Sequence, residues 1–330
     1  LGFLDGALTE FGSQALREWL KELGVETYVG TSGRVFPAKG IKPIDALKAI
    51  RSRLIDRGVH FHLEHSFVGF DGYLRPIVEH EGERSSITSE ITLFALGGAS
   101  WPVTGSTGTW KELFAPLGVE VAPFRPSNCG VEIPWPQQFV AAHAGKALKN
   151  IVVSIGDHSR FGEATITEHG LEGNAIYPLV PAIRDALQRE HSASVSIDLK
   201  PNNSEEQLLG KVASKEPKNY GEAINLDRPT LALLKAYTTK DQFLSPFAFV
   251  RAVKDLQLNV TALRPIEEAI STVGGISAID LAPDFSFRGH PQFFALGEMV
   301  DWDAPTGGFL LQGCFAMGHH AAQAVIARLH

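Results

Sequence analysis

A run near the end of the chain, residues 293–312, combines the residue types that a ligand site needs. It reads FFALGEMVDWDAPTGGFLLQ. Residues 293–296 form an apolar run typical of a buried strand, and Gly297-Glu298 ends that strand. From Pro305 the pattern is that of a helix which stays apolar through Val325. The sequence therefore predicts a strand, a loop and a helix in succession.

The two glycines at the start of this predicted helix, Gly307 and Gly308, have the clearest chemical potential. The first N–H groups of a helix have no partner inside the helix and carry the positive end of its dipole. Because glycine has no Cβ, an electron-rich ligand group can approach these N–H groups within hydrogen-bond distance. The alternative is a glycine-rich turn that only packs a terminal helix.

A second glycine pair, Gly97-Gly98, follows the apolar run 91–96. A continuous apolar strand that ends in glycines is typical of a buried parallel strand bringing its backbone to a cofactor. We therefore expect Gly97-Gly98 to contact a cofactor through the backbone.

Five stretches carry a resemblance to a known family, and their order along the chain is the order in that family. They are residues 33–37, 95–102, 105–108, 264–275 and, at the end, Gly297-Glu298, Asp301 and 306–312. With these stretches the sequence resembles the bacterial FAD-dependent oxidoreductase family that includes aminoacetone oxidase and the bile-acid flavin reductases. Each stretch is weak alone, but together they are specific.

The resemblance implies FAD as the cofactor and a set of residues that bind it. The implied FAD-binding residues are Gly97, Gly98, Ser100, Gly297, Glu298, Asp301, Thr306, Gly307, Gly308, Phe309 and Leu310. Glu298 would accept hydrogen bonds from ribityl or ribose hydroxyls. The N–H groups of residues 307–309 would stabilise the negative charge that reduction places at the N1–C2=O edge of the flavin.

Four residues are candidates for the substrate side: Arg34, Trp101, His169 and Asn174. For Arg34 the alternative is a surface salt bridge. The stretch 167–174 resembles a Thr-His-x-Gly-x-Ser-Gly motif of the family, but Glu168 replaces the histidine and His169 follows it. The alternative for this stretch is a glycine-rich loop that caps a helix at Asn174. A catalytic side chain stays unassigned, because the flavin itself carries the chemistry.

The chain contains no Gly-x-Gly-x-x-Gly, the motif that holds a dinucleotide pyrophosphate at a helix N-terminus. It begins at Leu1, and its only methionines are Met299 and Met317. From these two features we expect a fragment that lacks the first βαβ unit of the FAD-binding domain and retains FAD poorly.

The composition is that of an ordinary globular protein and excludes several functional classes. The 330 residues are 44% hydrophobic and 20% charged, with a net charge of −7 that offers no basic field for nucleic acid or anionic lipid. The sequence shows neither a signal peptide nor an apolar run of the ~18 residues that span a bilayer, so the cytoplasm is the default prediction.

The cysteines and the clustered histidines predict no metal site. Cys129 and Cys314 have neither the spacing of a zinc site nor that of a disulfide framework. His60, His62 and His65 are interpreted as exposed histidines on a strand and not as a metal site.

The predicted architecture is α/β, with a discontinuous, Rossmann-like FAD-binding domain. This domain comprises residues 1–124 and 274–330, and the prolines that flank Cys129-Gly130 mark its boundary. An inserted β-rich domain comprises 125–200 and 241–273, with a helical insert at 201–240. A barrel-like form of the inserted domain is implied by the resemblance alone.

The pattern also predicts individual elements. Residues 9–23 have helical spacing with an apolar core face and a cap at Gly24, and a second helix begins at Pro43 and ends at Gly58. Residues 59–63, 67–70, 74–78 and 87–94 are predicted to form a meander.

The predicted function is flavin-mediated oxidation or reduction of a small molecule by hydride transfer, with NAD(P)H as a candidate reductant. Two alternatives remain open at this point. One is an FAD-containing oxidase that uses oxygen without a nicotinamide partner. The other is a noncatalytic binding or interaction protein that keeps the fold. The substrate and the oligomeric state do not follow from the sequence.

Overall fold

The computed structural model describes residues 2–30 and 33–330. The chain divides into two compact units, each with its own hydrophobic core. Unit 1 consists of the segment up to Arg125 and the segment from Ser271 onward, and unit 2 is Pro126–Ile270.

The helices and strands of the described residues are numbered in chain order. The α-helices are α1 Asp5–Glu10, α2 Ser13–Glu22, α3 Pro43–Asp56, α4 Gln137–His143, α5 Val180–Glu190, α6 Glu205–Val212, α7 Tyr220–Ala223, α8 Arg228–Tyr237, α9 Lys240–Leu244, α10 Pro246–Lys254 and α11 Phe309–Leu329. The strands are β1 Thr27–Val29, β2 Val35–Pro37, β3 Ser66–Phe70, β4 Pro76–His80, β5 Glu83–Ser86, β6 Thr92–Phe94, β7 Val121–Ser127, β8 Val131–Glu132, β9 Ala147–Ile155, β10 His158–Ile166, β11 Gly170–Glu172, β12 Ala193–Asp198, β13 Leu256–Val260, β14 Ala262–Leu263, β15 Ser271–Ile276, β16 Ser286–Phe287 and β17 His290–Ala295.

Unit 1 is built around the parallel pairing of β6 with β17, which aligns Thr92 with Phe293 and Phe94 with Ala295. Strand β16 adds to β17 in antiparallel orientation. The core beside this sheet is rich in phenylalanine, and the rings of Phe94 and Phe114 meet edge to face at 5.1 Å between centroids. The loops after these strands, which contain Gly97-Gly98 and Gly297-Glu298, therefore follow neighbouring strands that run in the same direction.

The structure corrects the predicted meander in two places. Strands β3, β4 and β5 form a three-stranded antiparallel sheet, but β6 leaves it and pairs with β17. Residues 59–63 form no strand, and Val59, Phe61 and Leu63 are all exposed. Alternation of apolar and polar residues produces a strand only where a neighbouring strand pairs with its backbone, and 59–63 has no such neighbour in the described residues.

The first helices of the chain, α1 to α3, have only some of their predicted ends. Helices α2 and α3 also bury fewer side chains than expected. The segment 9–23 is not one helix, because Gly12 adopts an extended conformation between α1 and α2 with a ψ of −175°. No residue of α2 or α3 is buried, so the expected core face is wrong for α2. The predicted end at Gly24 is present, with a φ of +80° that suits glycine.

Unit 2 contains a seven-stranded antiparallel sheet in the order β13-β12-β9-β10-β11-β8-β14. Its two edge strands, β13 and β14, are joined by Thr261 alone. Within the described chain no pairing closes this sheet, so the barrel-like form is not confirmed. The helices of residues 201–240 share one apolar core with the sheet, to which Leu208 and Leu233 contribute fully buried side chains.

The predicted helix cap at Asn174 is wrong. Helix α5 begins at Val180, after a 3-10 turn at Tyr177–Leu179. The side-chain oxygen of Asn174 instead accepts a hydrogen bond of 2.8 Å from the N–H of Glu163. Asparagine bonds readily to backbone groups outside a helix, and here β10 offers the nearer donor.

Candidate functional site

The loops that follow β6 and β17 leave the sheet at the same edge. The N–H of Leu296 donates to the carbonyl of Phe94 at 2.9 Å, which continues the parallel pairing to the point where both strands end. In open α/β sheets the carboxyl ends of parallel strands are where ligands bind. Gly97-Gly98 and Gly297-Glu298 therefore lie at the expected place for a site in unit 1.

Gly98 lies directly against the side chains of Glu298 and Thr272. A Cβ at Gly98 would be 2.1 Å from Oγ1 of Thr272 and 2.8 Å from the carboxyl carbon of Glu298, which leaves no room for any other residue type. Oε1 of Glu298 accepts hydrogen bonds from the N–H of Thr272 at 2.9 Å and from its hydroxyl at 3.3 Å. The structure thus brings two of the predicted residues together through a threonine on β15.

Asp301 also contacts a third glycine pair, Gly274-Gly275 on β15. Oδ1 of Asp301 accepts a hydrogen bond of 2.9 Å from the N–H of Gly274. A Cβ at Gly274 would be 2.4 Å from the carbonyl oxygen of Pro123, and one at Gly275 would be 2.2 Å from that of Met299. This glycine pair therefore allows β15 to pack closely against two backbone segments.

Helix α11 begins with the predicted glycines, and both adopt left-handed backbone conformations. Gly307 has a φ of +111° and Gly308, the N-cap, has a φ of +94°. A Cβ at Gly308 would meet no atom within 4 Å, so the space beside the first turn is open. Phe309 is half exposed. The first N–H groups of α11 are accordingly accessible to a ligand.

Arg34 reaches the start of α11 from β2's side of the unit. Its Nε is 3.3 Å from the position that a Cβ of Gly307 would take. Arg34 is exposed, and it lies between Gly33 and the start of β2 at Val35. A cationic side chain and the positive end of a helix dipole converge here, an arrangement that favours a negatively charged or electron-rich group.

Cys314 links α11 to the loop after β17. Its Sγ is 3.2 Å from the position that a Cβ of Gly297 would take. Burial, together with the neighbouring charge of Glu298, raises the pKa of the Cys314 thiol to about 11. Cys314 is therefore a protonated packing residue at neutral pH and not a nucleophile.

The remaining predicted site residues of unit 1 differ in their exposure to solvent. Ser100 is buried, whereas Trp101 is half exposed and pairs with Ser106 in an isolated antiparallel bridge. Thr306 and Leu310 are half-buried on either side of the glycines. The indole N–H of Trp110 donates to the carbonyl of Gly97 at 3.0 Å and so anchors that loop.

The other two substrate-side candidates, His169 and Asn174, belong to unit 2. Both are exposed. The Asn174 side chain is occupied by its bond to Glu163, whereas His169 lines a cavity within unit 2.

Sequence reasoning missed Thr272 and Trp110. Thr272 lies inside the resembling stretch 264–275, but a single threonine on a strand gives no signal of its own. Trp110 is five residues from Gly105, and nothing in its spacing shows that its indole supports Gly97.

Two negative findings concern the described residues only. They contain no group of three or more histidine, cysteine or acidic side chains arranged to hold a metal ion. None of their helices combines the length and apolarity needed to cross a membrane.

Comparison with known proteins gives a match over almost the whole chain. The family profile described as "HI0933-like protein Rossmann domain" matches residues 2–324. A 3-dehydro-bile acid delta(4,6)-reductase of Clostridium scindens is 22% identical, over 99% of this chain and 83% of the relative. A ribosomal RNA dihydrouridine synthase of Haemophilus influenzae is 20% identical, over 71% of this chain and 59% of the relative.

Among solved structures, a flavocytochrome c3 fumarate reductase in its open conformation is similar with a TM-score of 0.44 and 15% identity. The similarity covers 97% of this chain but 65% of that one, so the chain spans less than two thirds of this solved protein. Because the ribosomal RNA enzyme is a relative, the absence of a nucleic-acid partner stays a prediction.

Proposed function

We propose that this chain, which belongs to the family of the HI0933-like protein Rossmann domain, is an FAD-dependent oxidoreductase. Its proposed reaction is hydride transfer to or from a small molecule. The family agrees with the one that the sequence motifs predicted. The relative from Clostridium scindens is by name a reductase of a 3-dehydro-bile acid, which supports the same class of chemistry here.

The observation that carries this proposal is the contact between Gly98 and Glu298 at the carboxyl ends of parallel β6 and β17. The two residues come from loops about 200 positions apart, yet the fold brings a Cβ-free backbone against a carboxylate at the edge where α/β sheets bind ligands. A merely structural glycine pair requires no carboxylate beside it, so this combination favours a site.

The residues fit FAD in chemistry as well as in place. Glu298 uses Oε1 for Thr272, and its second carboxylate oxygen is able to accept a hydrogen bond from a ribityl or ribose hydroxyl. The N–H groups of residues 307–309 are donors at a helix N-terminus with open space beside Gly308. When bound, FAD supplies the hydride transfer through its N5.

The protein's own residues then have distinct tasks. Glu298 and Asp301 orient the cofactor chain, and the start of α11 stabilises negative charge at the cofactor's electron-rich edge. Arg34, beside Gly307, binds an anionic group of the cofactor or substrate. His169 and Asn174 stay proposals for the substrate side, supported by the resemblance.

The experiment that tests the proposal is anaerobic stopped-flow spectroscopy of the protein saturated with FAD. We expect NADPH to bleach the flavin absorbance, and oxygen or an acceptor substrate to restore it. Bleaching by candidate substrates but not by NADPH, with rapid recovery in oxygen, would instead support the oxidase. A protein that binds no FAD at saturating concentration would overturn the proposal in favour of the noncatalytic alternative.

A further inference from the structure

A cavity of about 400 Å³ lies within unit 2, between β8, α4 and the turn that joins β10 to β11. Its wall includes apolar side chains, one indole, two carboxylates and one imidazole. The lining residues that matter are Trp135, Glu132, Glu168, His169, Ile133 and Val140. This turn lies within the stretch 167–174, which the sequence singled out and the proposed FAD site does not use.

Trp135 is a rigid part of this cavity. Its indole N–H donates to the carbonyl of Thr167 at 3.1 Å. Its ring packs against Phe139 at 5.2 Å and against Tyr237 at 5.9 Å between centroids. The hydroxyl of Tyr237 donates to the carbonyl of Pro134 at 3.4 Å, which ties this ring to the residue before Trp135. The cavity therefore offers a preformed aromatic surface.

Most of the charge near the cavity is paired. Arg264 donates to Glu132 at 2.7 Å and binds Glu268 through two hydrogen bonds of 2.8 and 2.6 Å. The hydrogen bond from Arg264 lowers the pKa of the Glu268 carboxyl. Arg264 thus forms ion pairs with two carboxylates, Glu132 and Glu268, and this cluster of three side chains keeps an excess of negative charge.

Glu168 is a third carboxylate near the cavity, and Arg264 forms no ion pair with it. It is exposed on the cavity wall, and within the described part of the chain its side chain has no ion pair or hydrogen bond. With histidine counted as neutral, the three glutamates and Arg264 sum to a charge of about −2. An aromatic face beside unneutralised carboxylates attracts a cation and repels an anion.

We propose that this cavity binds an organic cation, a protonated amine with an apolar body. The ammonium group interacts with Glu168 and with the face of Trp135, and the apolar body contacts Ile133 and Val140. Arg264 holds Glu132 in place and does not compete for the ligand. The proposal concerns a site inside unit 2 and does not depend on FAD binding in unit 1.

The test is isothermal titration of the whole protein with three probes of matched shape: benzylammonium, benzyl alcohol and benzoate. We expect saturable binding of benzylammonium, accompanied by a change in tryptophan fluorescence, and at least tenfold weaker binding of the other two. Equal affinity for benzylammonium and benzyl alcohol, or the absence of saturable benzylammonium binding, would overturn the proposal.

A matched pair of variants locates the site. Glu168→Gln removes one charge from the cavity wall, and Glu206→Gln removes one from the exposed first turn of α6 in the same unit. Both sites are exposed, so both variants keep the fold. We expect Glu168→Gln to weaken benzylammonium about fivefold and Glu206→Gln to leave it unchanged. Equal effects in the two variants would mean that only the net charge of the protein attracts the amine, and the proposed site would be wrong. No FAD is needed for these measurements, so the outcome is separate from that of the redox proposal.

Discussion

At the scale of single residues, Glu298 is where structure and proposed chemistry meet. One carboxylate oxygen holds Thr272, and the other is the proposed acceptor for FAD. Glutamine keeps an acceptor for Thr272 but weakens a charge-assisted hydrogen bond by about 1–2 kcal/mol. We therefore expect Glu298→Gln to bind FAD about tenfold more weakly, measured by equilibrium dialysis, with an unchanged melting temperature.

A control for this variant is Glu206→Gln, which changes the net charge equally but lies in unit 2. An independent readout is Cys314, because the charge of Glu298 contributes to its raised pKa. The glutamine variant should lower the pH at which Cys314 reacts with iodoacetamide. Unaltered FAD affinity in Glu298→Gln would remove Glu298 from the cofactor site.

The thiol of Cys314 also makes a prediction about pH. Its pKa is raised from 9.0 to about 11 by burial, so the folded state keeps the proton when an unfolded chain loses it. This contribution to stability is fully present below about pH 9 and is lost as the pH rises to about 11. Its size is on the order of 2 kcal/mol.

The measurement is urea denaturation of the wild type and of Cys314→Ala between those two pH values. We expect the wild type to lose its stability advantage over the alanine variant as the pH increases, because only the wild type carries the thiol. Parallel stability curves for the two proteins would contradict the buried, protonated thiol.

At the scale of elements, the start of α11 decides whether its glycines serve a ligand or only a turn. Gly308 has a φ of +94°, where valine is strained whatever surrounds it. Loss of stability alone therefore cannot separate the two interpretations. Gly40 provides the control, with a φ of +95° and likewise no atom within 4 Å of an added Cβ.

We expect Gly308→Val and Gly40→Val to lose similar stability, about 1–2 kcal/mol each. Only Gly308→Val should lose FAD affinity, by more than tenfold, because its side chain occupies the open space beside the first turn. Circular dichroism follows the fold, and flavin fluorescence follows binding. If a native-like Gly308→Val protein binds FAD as the Gly40→Val protein does, the start of α11 is not the cofactor's partner.

At the scale of the whole molecule, the arrangement of motifs predicts which part of FAD this chain recognises. The sequence contains no Gly-x-Gly-x-x-Gly to hold the pyrophosphate. The proposed contacts of Glu298 and α11 serve the ribityl chain and the flavin ring. We therefore expect these 330 residues to bind riboflavin and FAD with affinities within about threefold of each other, and to lose either on dilution.

Equilibrium dialysis with both ligands provides the comparison. An FAD affinity at least a hundredfold above that of riboflavin would show that residues of this chain recognise the pyrophosphate or the adenosine. The cofactor site would then include residues beyond Glu298 and the start of α11.

The sequence by itself determined features that depend on local chemistry. The left-handed glycine cap at position 24 and the proline start of α3 follow from backbone preferences that a few neighbouring residues set. The family was also determined by sequence, because several weak motifs in a fixed order are specific together. The match over residues 2–324 confirms that assignment.

Only the tertiary structure decided which distant segments meet. The pattern predicted β6 as the end of a meander, but its pairing with β17 depends on which backbone lies beside it. The same holds for Thr272, whose hydroxyl matters because Glu298 and Gly98 are brought against it. Burial was likewise decided by the tertiary structure. Residues 59–63 and helix α2 carry the apolar pattern of a buried element, but the folded chain does not bury them. Periodicity records which face of an element is apolar, whereas pairing and burial depend on the partner, and the partner is fixed only when the chain is folded.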